Sequence, residues 1–353
     1  MDFFNSNYGY VPVILNGVMI KKYVRRDFVK MAAIATAGLA YSGNLNASEK
    51  KSLFTGKRVG IIGLDTSHAV AFAKTLNDPN VSPDYRGYKV VAAYAQGTKD
   101  IKSALDRAPG FIKDIKVLGV EIVESIPSLL KKVDVVLLES NDGRVHLEQV
   151  LPILKANKTV FIDKPIAASY ADAKAIFEAA EKYKTPIFSS SSLRYIDGIA
   201  DAVAGKNGKI IGAQTYSPSA IEPTHPDFFW YGIHGVEMLF TLMGAGCKSV
   251  SRTHTTDTDL AVGVWDDGRV GSFRGTRSGK KDYGATVFAE KATFTLGEFK
   301  GYNPLLLEIV KFFDTGIPPV SKAETLAICA FMEAADLSKA RGGNPVEIKE
   351  ITK

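Results

Sequence analysis

His146-Leu-Glu-Gln-Val-Leu-Pro-Ile-Leu-Lys-Ala-Asn-Lys-Thr-Val-Phe-Ile-Asp-Lys-Pro165 spells out a helix followed by a strand. Leu147, Val150, Leu151 and Leu154 mark one apolar face at helical spacing, and Asn157 ends it. Thr159-Val160-Phe161-Ile162 is too short for a helix and reads as a buried strand. It delivers Asp163-Lys164-Pro165 at its C-terminal end, the end at which open α/β sheets bind ligands. An isolated Asp-Lys-Pro is most often a solvated turn. Here the fixed φ of Pro165 and the position after a buried strand turn Lys164 toward a cleft.

The same alternation extends outward. Arg58–Leu64, Lys89–Tyr94, Glu121–Val123, Asp134–Leu138, Thr159–Ile162 and Pro186–Ser189 read as strands, with helices between them at Ser67–Leu76, Val145–Lys155 and Ala171–Lys184. Such alternation predicts a parallel sheet covered on both faces. After Ser190 the texture changes. Longer strands are expected at 210–217, 249–255, 260–265, 269–274, 285–288 and 292–296, with a hairpin at Asp266-Asp267-Gly268. Helices are expected at 228–243, 303–313 and 321–340. The fold class is therefore α/β: a Rossmann-type doubly wound parallel sheet over residues 57–190, then an α+β domain over residues 191–350 with an open, mostly antiparallel sheet.

The 353 residues suffice for two sizeable cores. The net charge of +6 suggests nucleic acid at first sight. Half of it lies in residues 1–47, where Lys21, Lys22, Arg25, Arg26 and Lys30 face only Asp2 and Asp27. The remainder has no dense basic run and no base-stacking aromatic repeat, so no nucleic-acid partner is expected. Cys247 and Cys329 form no CxxC, and the sequence leaves a disulfide between them open. In residues 1–47, Arg25-Arg26-Asp27-Phe28-Val29-Lys30 precedes an alanine-rich apolar run and resembles a twin-arginine export signal. Met19 is a candidate start. That run is too short and too alanine-rich to span a bilayer, so the expectation is a periplasmic or otherwise exported protein with no stable membrane span.

After the first strand comes Gly63-Leu64-Asp65-Thr66-Ser67-His68, the place for a dinucleotide pyrophosphate. Against G-x-G-x-x-G, Asp65 replaces the second glycine and His68 the third. A carboxylate at Asp65 repels phosphates unless its side chain turns away. Thr66 and Ser67 supply a helix cap and hydroxyls, and a protonated His68 would offset Asp65. Where the second strand ends, Gln96 stands in place of the acidic residue expected on the ribose. Asp65 and His68 lack a visible third ligand, so no metal is expected.

With Asp163-Lys164-Pro165, His146 after Ser140-Asn141-Asp142-Gly143, and Trp230-Tyr231-Gly232-Ile233-His234, residues 57–350 resemble the Gfo/Idh/MocA oxidoreductases. Asp163 stands for the glutamate of that family's Glu-Lys-Pro, and Trp230 replaces the aspartate of its Asp-x-x-x-His. The resemblance implies an oxidoreductase with NAD or NADP, a carbohydrate substrate, and an open sheet that serves a homo-oligomer. It implies cofactor contacts from the turn (Gly63, Asp65, Thr66, Ser67, His68) and from Gln96, Glu139, Asn141, Asp163 and Lys164.

Oxidising a carbinol needs a base and a group that stabilises the developing alkoxide. His234 has the pKa for the first and Lys164 the charge for the second. In a regular helix, Asp227, Tyr231 and Glu237 share the face of His234, and Tyr231 is the expected orienting partner. Arg194, His225 and Asp227 are candidate substrate contacts. His254 and Arg274 carry no assignment. Three functions stay open: an exported oxidoreductase with a tightly bound nicotinamide, a glycosidase or lyase working by transient oxidation, and a sugar-binding protein that has lost the nucleotide.

Overall fold

The computed structural model describes residues 56–353. The expected twin-arginine run and apolar stretch lie outside the described residues. Cys247 and Cys329 are both free thiols.

Six strands form the first sheet: β1 Arg58–Ile62, β2 Lys89–Tyr94, β3 Glu121–Val123, β4 Val135–Leu138, β5 Val160–Ile162 and β6 Ile187–Ser189. Every pairing is parallel and the order is β3-β2-β1-β4-β5-β6, the doubly wound arrangement. Between them run α1 Ser67–Asn77, α2 Lys102–Val117, α3 Ile126–Leu130, α4 His146–Lys155 and α5 Tyr170–Tyr183. Ser125 and Ser169 cap α3 and α5 through their hydroxyl oxygens. The strands β4 and β5 are buried at every residue, as a sheet covered on both faces requires.

The second half contains α6 Ile199–Val203, β7 Ile210–Pro218, α7 Ile233–Met243, β8 Cys247–His254, β9 Thr258–Trp265, β10 Val270–Thr276, β11 Gly284–Ala289 and β12 Thr293–Leu296. It ends in α8 Asn303–Thr315, α9 Lys322–Ala340, β13 Val346–Glu347 and α10 Ile348–Ile351. Its seven-stranded sheet has the order β12-β11-β7-β10-β9-β8-β13 and is antiparallel except for the β7–β10 pair. One face packs on α7 and α9. The approach is close: a Cβ on Gly235 would lie 2.2 Å from the Phe273 ring, so α7 carries glycine there. The opposite face exposes Tyr216, Leu260, Val264 and Val270; Val264 pairs with Val270, and the exposed Arg274 stands between Leu260 and Tyr216.

Two features depart from the sequence reading. Residues 228–243 are not one regular helix. Phe228–Gly232 is a π-helical turn ahead of α7, which shifts the phase of the side chains before His234. Helix α8 follows the second sheet in the chain but joins the first core. Its Leu305, Leu306, Ile309, Val310, Phe312 and Phe313 pack with Val59, Phe72, Phe161 and Phe188.

Candidate active site

Lys164 and His234 line one cavity of about 290 Å³ at the C-terminal ends of β1, β4 and β5. Lys164 comes from the turn after β5 and His234 from the second residue of α7. The turn residues Thr66, Ser67 and His68 and the loop residue Asn141 share the wall, and Trp230, Tyr231, Tyr283, Phe299 and Tyr302 give it an aromatic side. Both catalytic candidates are nearly buried, at 5% exposure each.

The partners of His234 differ from the expected ones. Ser191 Oγ lies 2.7 Å from its Nδ1, whereas the Tyr231 hydroxyl meets the Tyr283 hydroxyl at 3.0 Å. Tyr231 touches His234 by its ring edge, with centroids 4.9 Å apart. The π turn explains this, because it rotates Tyr231 off the hydrogen-bonding side of the imidazole. Ser191 is itself fixed: its N–H donates to Glu237 Oε2 at 2.7 Å, and the other Glu237 oxygen accepts from Ser190 Oγ and Arg194 Nε. Burial, with Lys164 and His68 nearby, holds the His234 pKa well below the usual histidine value. The imidazole is thus neutral and able to accept a proton.

Beneath Lys164 sits a buried acid cluster. His68 Nδ1 lies 3.0 and 3.1 Å from the two Asp163 oxygens, and Lys164 Nζ lies 3.6 Å from Asp163. His68 therefore pairs with Asp163, not Asp65, and its ring packs on Tyr302 at 4.5 Å. Burial alone would raise the Asp163 pKa, but the charges of His68 and Lys164 outweigh it and hold the group ionised. Glu139, fully buried with no hydrogen-bond partner on either oxygen, goes the other way: burial and then Asp163 push its pKa well above the usual range. His68, Glu139 and Asp163 have donor atoms within 4.8 Å of one another. The sequence did not show this grouping, because its members come from three separate strand ends. The Lys164 ammonium already brings to it the positive charge that a cation would supply.

A neutral Glu139 has a consequence for stability. A carboxyl whose folded pKa is raised stabilises fully below its unfolded value near 4.5 and loses that contribution as pH rises toward the folded value. Glu139→Gln is therefore expected to match the wild type in thermal midpoint at acidic pH and to exceed it increasingly from pH 5 to pH 8. Melting curves at both ends of that window test this; a constant difference would show that Glu139 does not titrate in the fold.

Several expected site residues lie elsewhere. Glu139, Asp163 and Asp65 are at most 2% exposed and stand behind the cavity wall. Asp227 accepts from Arg252 at 2.9 Å and from Lys339 at 2.6 Å, directed to that side by the π turn. Arg194 is neutralised by Glu237 of α7 and Glu324 of α9, at 2.9 and 2.7 Å. His225 lies behind Trp230, its Nε2 3.8 Å from Asp142, with burial lowering its pKa. None of these three lines the cavity. His146 sits between two carbonyls, its Nε2 2.7 Å from Ser140 O and its Nδ1 3.1 Å from Ile166 O; burial lowers its pKa, and the neutral ring donates to one of the two, between the loops after β4 and β5.

A dinucleotide needs an open helix N-terminus and a place for each end, and the first sheet offers all three. Gly63 turns with φ +88°, where a Cβ would lie 2.4 Å from Ser140 N. Thr66 caps α1, and the first helical residue, Ser67, is exposed toward the cavity. A second cavity of about 350 Å³ follows the end of β2, lined by Gln96, Gly97, Pro127 and Gln149. The residues present fit a nicotinamide beside Lys164 and Asn141 and an adenosine beside Gln96.

Comparison with known proteins agrees. Residues 57–190 match the Gfo/Idh/MocA group, described as an oxidoreductase family with an NAD-binding Rossmann fold. An uncharacterized oxidoreductase of Streptococcus pneumoniae is 25% identical over 153 residues, 38% of this chain and 41% of that protein. Among solved structures, a probable dehydrogenase from Thermotoga maritima superposes with TM-score 0.68 at 21% identity, covering 83% of this chain and 99% of that one. A scyllo-inositol dehydrogenase from Lactobacillus casei, solved with NAD(H) and scyllo-inositol, gives 0.67 at 16% identity, with coverage of 83% and 99%. A myo-inositol 2-dehydrogenase from Lactobacillus plantarum gives 0.68 at 18%, again covering 83% and 99%. At these identities the structural likeness speaks for the fold. Residues 57–190 are thus similar to the NAD-binding Rossmann domain of the Gfo/Idh/MocA oxidoreductases.

Proposed function

We propose that this protein is an NAD(P)-dependent oxidoreductase acting on a carbinol of a polyol, sugar or glycoside. The observation that carries the reading is one aromatic-walled cavity holding a buried lysine and a neutral, buried histidine. When bound, the nicotinamide supplies the hydride acceptor. With Nδ1–H donating to Ser191 Oγ, His234 keeps Nε2 free to take the hydroxyl proton. Lys164 holds the same hydroxyl and stabilises the alkoxide as the proton leaves. The aromatic wall suits the apolar face of a ring and excludes water from it.

Denaturing the purified protein and assaying released nicotinamide by absorbance and mass tests the reading. So does turnover of a panel of inositols, aldoses and aryl glycosides. Absence of nicotinamide together with no dinucleotide binding by calorimetry would leave only a sugar-binding role.

One observation favours a second reading. His68, backed by Asp163, is a further imidazole in the cavity wall, which hydride transfer alone does not require. Once a ring carbinol is oxidised, the neighbouring C–H is acidic. A base can then take that proton while the leaving group departs with the bonding electrons and collects a proton from an acid. His234 and His68 are two groups for those two transfers. Water would then add to the resulting alkene and the hydride would return to the carbonyl, so release of phenol from an aryl glycoside without net NADH would favour this glycosidase chemistry.

Export by the twin-arginine route and homo-oligomerisation belong to the same proposal. The first is supported by Arg25-Arg26-Asp27-Phe28 and tested by fractionating cells that carry the full chain with and without both arginines replaced by lysine. The second is supported by the exposed apolar sheet face at Tyr216, Leu260, Val264 and Val270 and tested by light scattering. No helix among the described residues is long and apolar enough to cross a membrane.

A further inference from the structure

The two cavities that fit the ends of a dinucleotide are separated by a bridge. Asp65 leaves the end of β1, which lies between β2 and β4 in the sheet. Its Oδ2 accepts the Thr98 N–H at 2.8 Å from the loop after β2, and its Oδ1 accepts the Asn141 N–H at 3.0 Å from the loop after β4. Thr98 Oγ donates to Asp142 at 3.0 Å and ties the same two loops a second time. Asp65, Thr98 and Asp142 are 2%, 4% and 1% exposed, so the crest above β1 is covered. Gly97 leaves room for the carboxylate: a Cβ there would lie 2.2 Å from Asp65 Oδ2. Asn141 lines one cavity and Gly97 the other, which places the bridge between them.

A dinucleotide on a doubly wound sheet crosses this crest, and its phosphates accept backbone N–H groups there. We propose that the Asp65 carboxylate is an internal stand-in for a phosphate, and that a dinucleotide seats fully only by displacing it. Asp65 then sets how tightly the nucleotide is held, and the loss of the second glycine is a determinant of affinity. This rests on the reading of the protein as NAD(P)-dependent. Two N–H donors are satisfied by an anion already attached to the chain, so an incoming phosphate must compete with it and is repelled by it until it moves.

The test is calorimetric titration of the full chain, stripped of endogenous nucleotide, with NAD⁺, NADP⁺ and adenosine. Wild type, Asp65→Gly and Asp65→Asn are compared. Asp65→Gly is expected to bind NAD⁺ or NADP⁺ on the order of tenfold or more tightly than wild type. Its unliganded thermal midpoint is expected to fall and to recover with the dinucleotide. Asp65→Asn, which removes the charge and keeps the shape, is expected to fall between the two and serves if the glycine variant does not fold. Adenosine, which carries no phosphate across the crest, is expected to bind all three alike. A wild type that binds the dinucleotide as tightly as the folded variants would overturn the proposal and leave the oxidoreductase reading intact. An equal gain for adenosine would also overturn it, as general loosening. Binding by none of the three, all folded, would overturn both.

Discussion

Lys164→Ala is expected to lower turnover by roughly 10²–10⁴-fold while the protein stays folded. Lys164 is the one lysine lining the cavity that holds His234, and its side chain is 6% exposed. Removing it also takes one counter-charge from Asp163, whose other partner, His68, remains at 3.0 Å. The stability cost should therefore be modest, a shift of a few degrees in thermal midpoint. Lys164→Arg should recover little activity, because a planar guanidinium does not reproduce the compact, rotatable donor set of an ammonium in a closed site. Activity and melting curves are read together on whichever polyol or glycoside the wild type converts. A variant that keeps its turnover and loses its midpoint would make Lys164 a structural residue.

Arg252→Ala is expected to have the opposite signature, a loss of roughly 3–5 kcal/mol in stability, as for a broken buried ion pair. Arg252 comes from β8, is 1% exposed, and donates to Asp259, Asp336 and Asp227 while its guanidinium stacks 3.9 Å over the Phe228 ring. Asp259 keeps Arg277 and His254, and Asp227 keeps Lys339. Asp336 keeps no ion-pair partner among the described residues, and burial already pushes its pKa up to about 7. Chemical denaturation with the midpoint and slope both fitted checks this. A loss below about 1 kcal/mol would mean that the carboxylates take up protons or water at little cost. The same cluster anchors the π turn that carries Trp230 and Tyr231, so reduced substrate affinity should accompany the loss.

Much of the architecture was legible in the sequence because it rests on periodicity. The apolar runs at Val135–Leu138 and Val160–Ile162 belong to strands buried on both faces, and a short run of that kind between helical patterns has few other readings. Lys164 was legible for the same reason, since a residue that follows such a strand stands at the ligand-binding edge. His234 was found through the family resemblance, whose Asp-x-x-x-His motif Trp230–His234 matches in its glycine and its histidine. Its true hydrogen-bond partner, Ser191, was not, although the run Ser189–Ser192 marks a polar loop at the domain junction. Asp227 was misplaced because a helical wheel assumes one residue phase throughout, and the π turn at Phe228–Gly232 breaks it. Arg194 resembled a substrate contact because an arginine shows its charge in the sequence but not its counter-charges. Glu237 and Glu324 reach it from two helices far along the chain.

The sequence by itself determined the parallel sheet, the mixed second sheet and the strand end that presents Lys164, because alternation of apolar and polar residues is a local property. It also showed that the second and third glycines of the phosphate turn are gone. What Asp65 and His68 do in their place was decided only by tertiary structure. Asp65 turns to the Thr98 and Asn141 amides, and His68 turns to Asp163. These are contacts between strand ends brought side by side by the order of the sheet. A buried carboxylate is governed by the donors within reach of it, and those donors are set by topology.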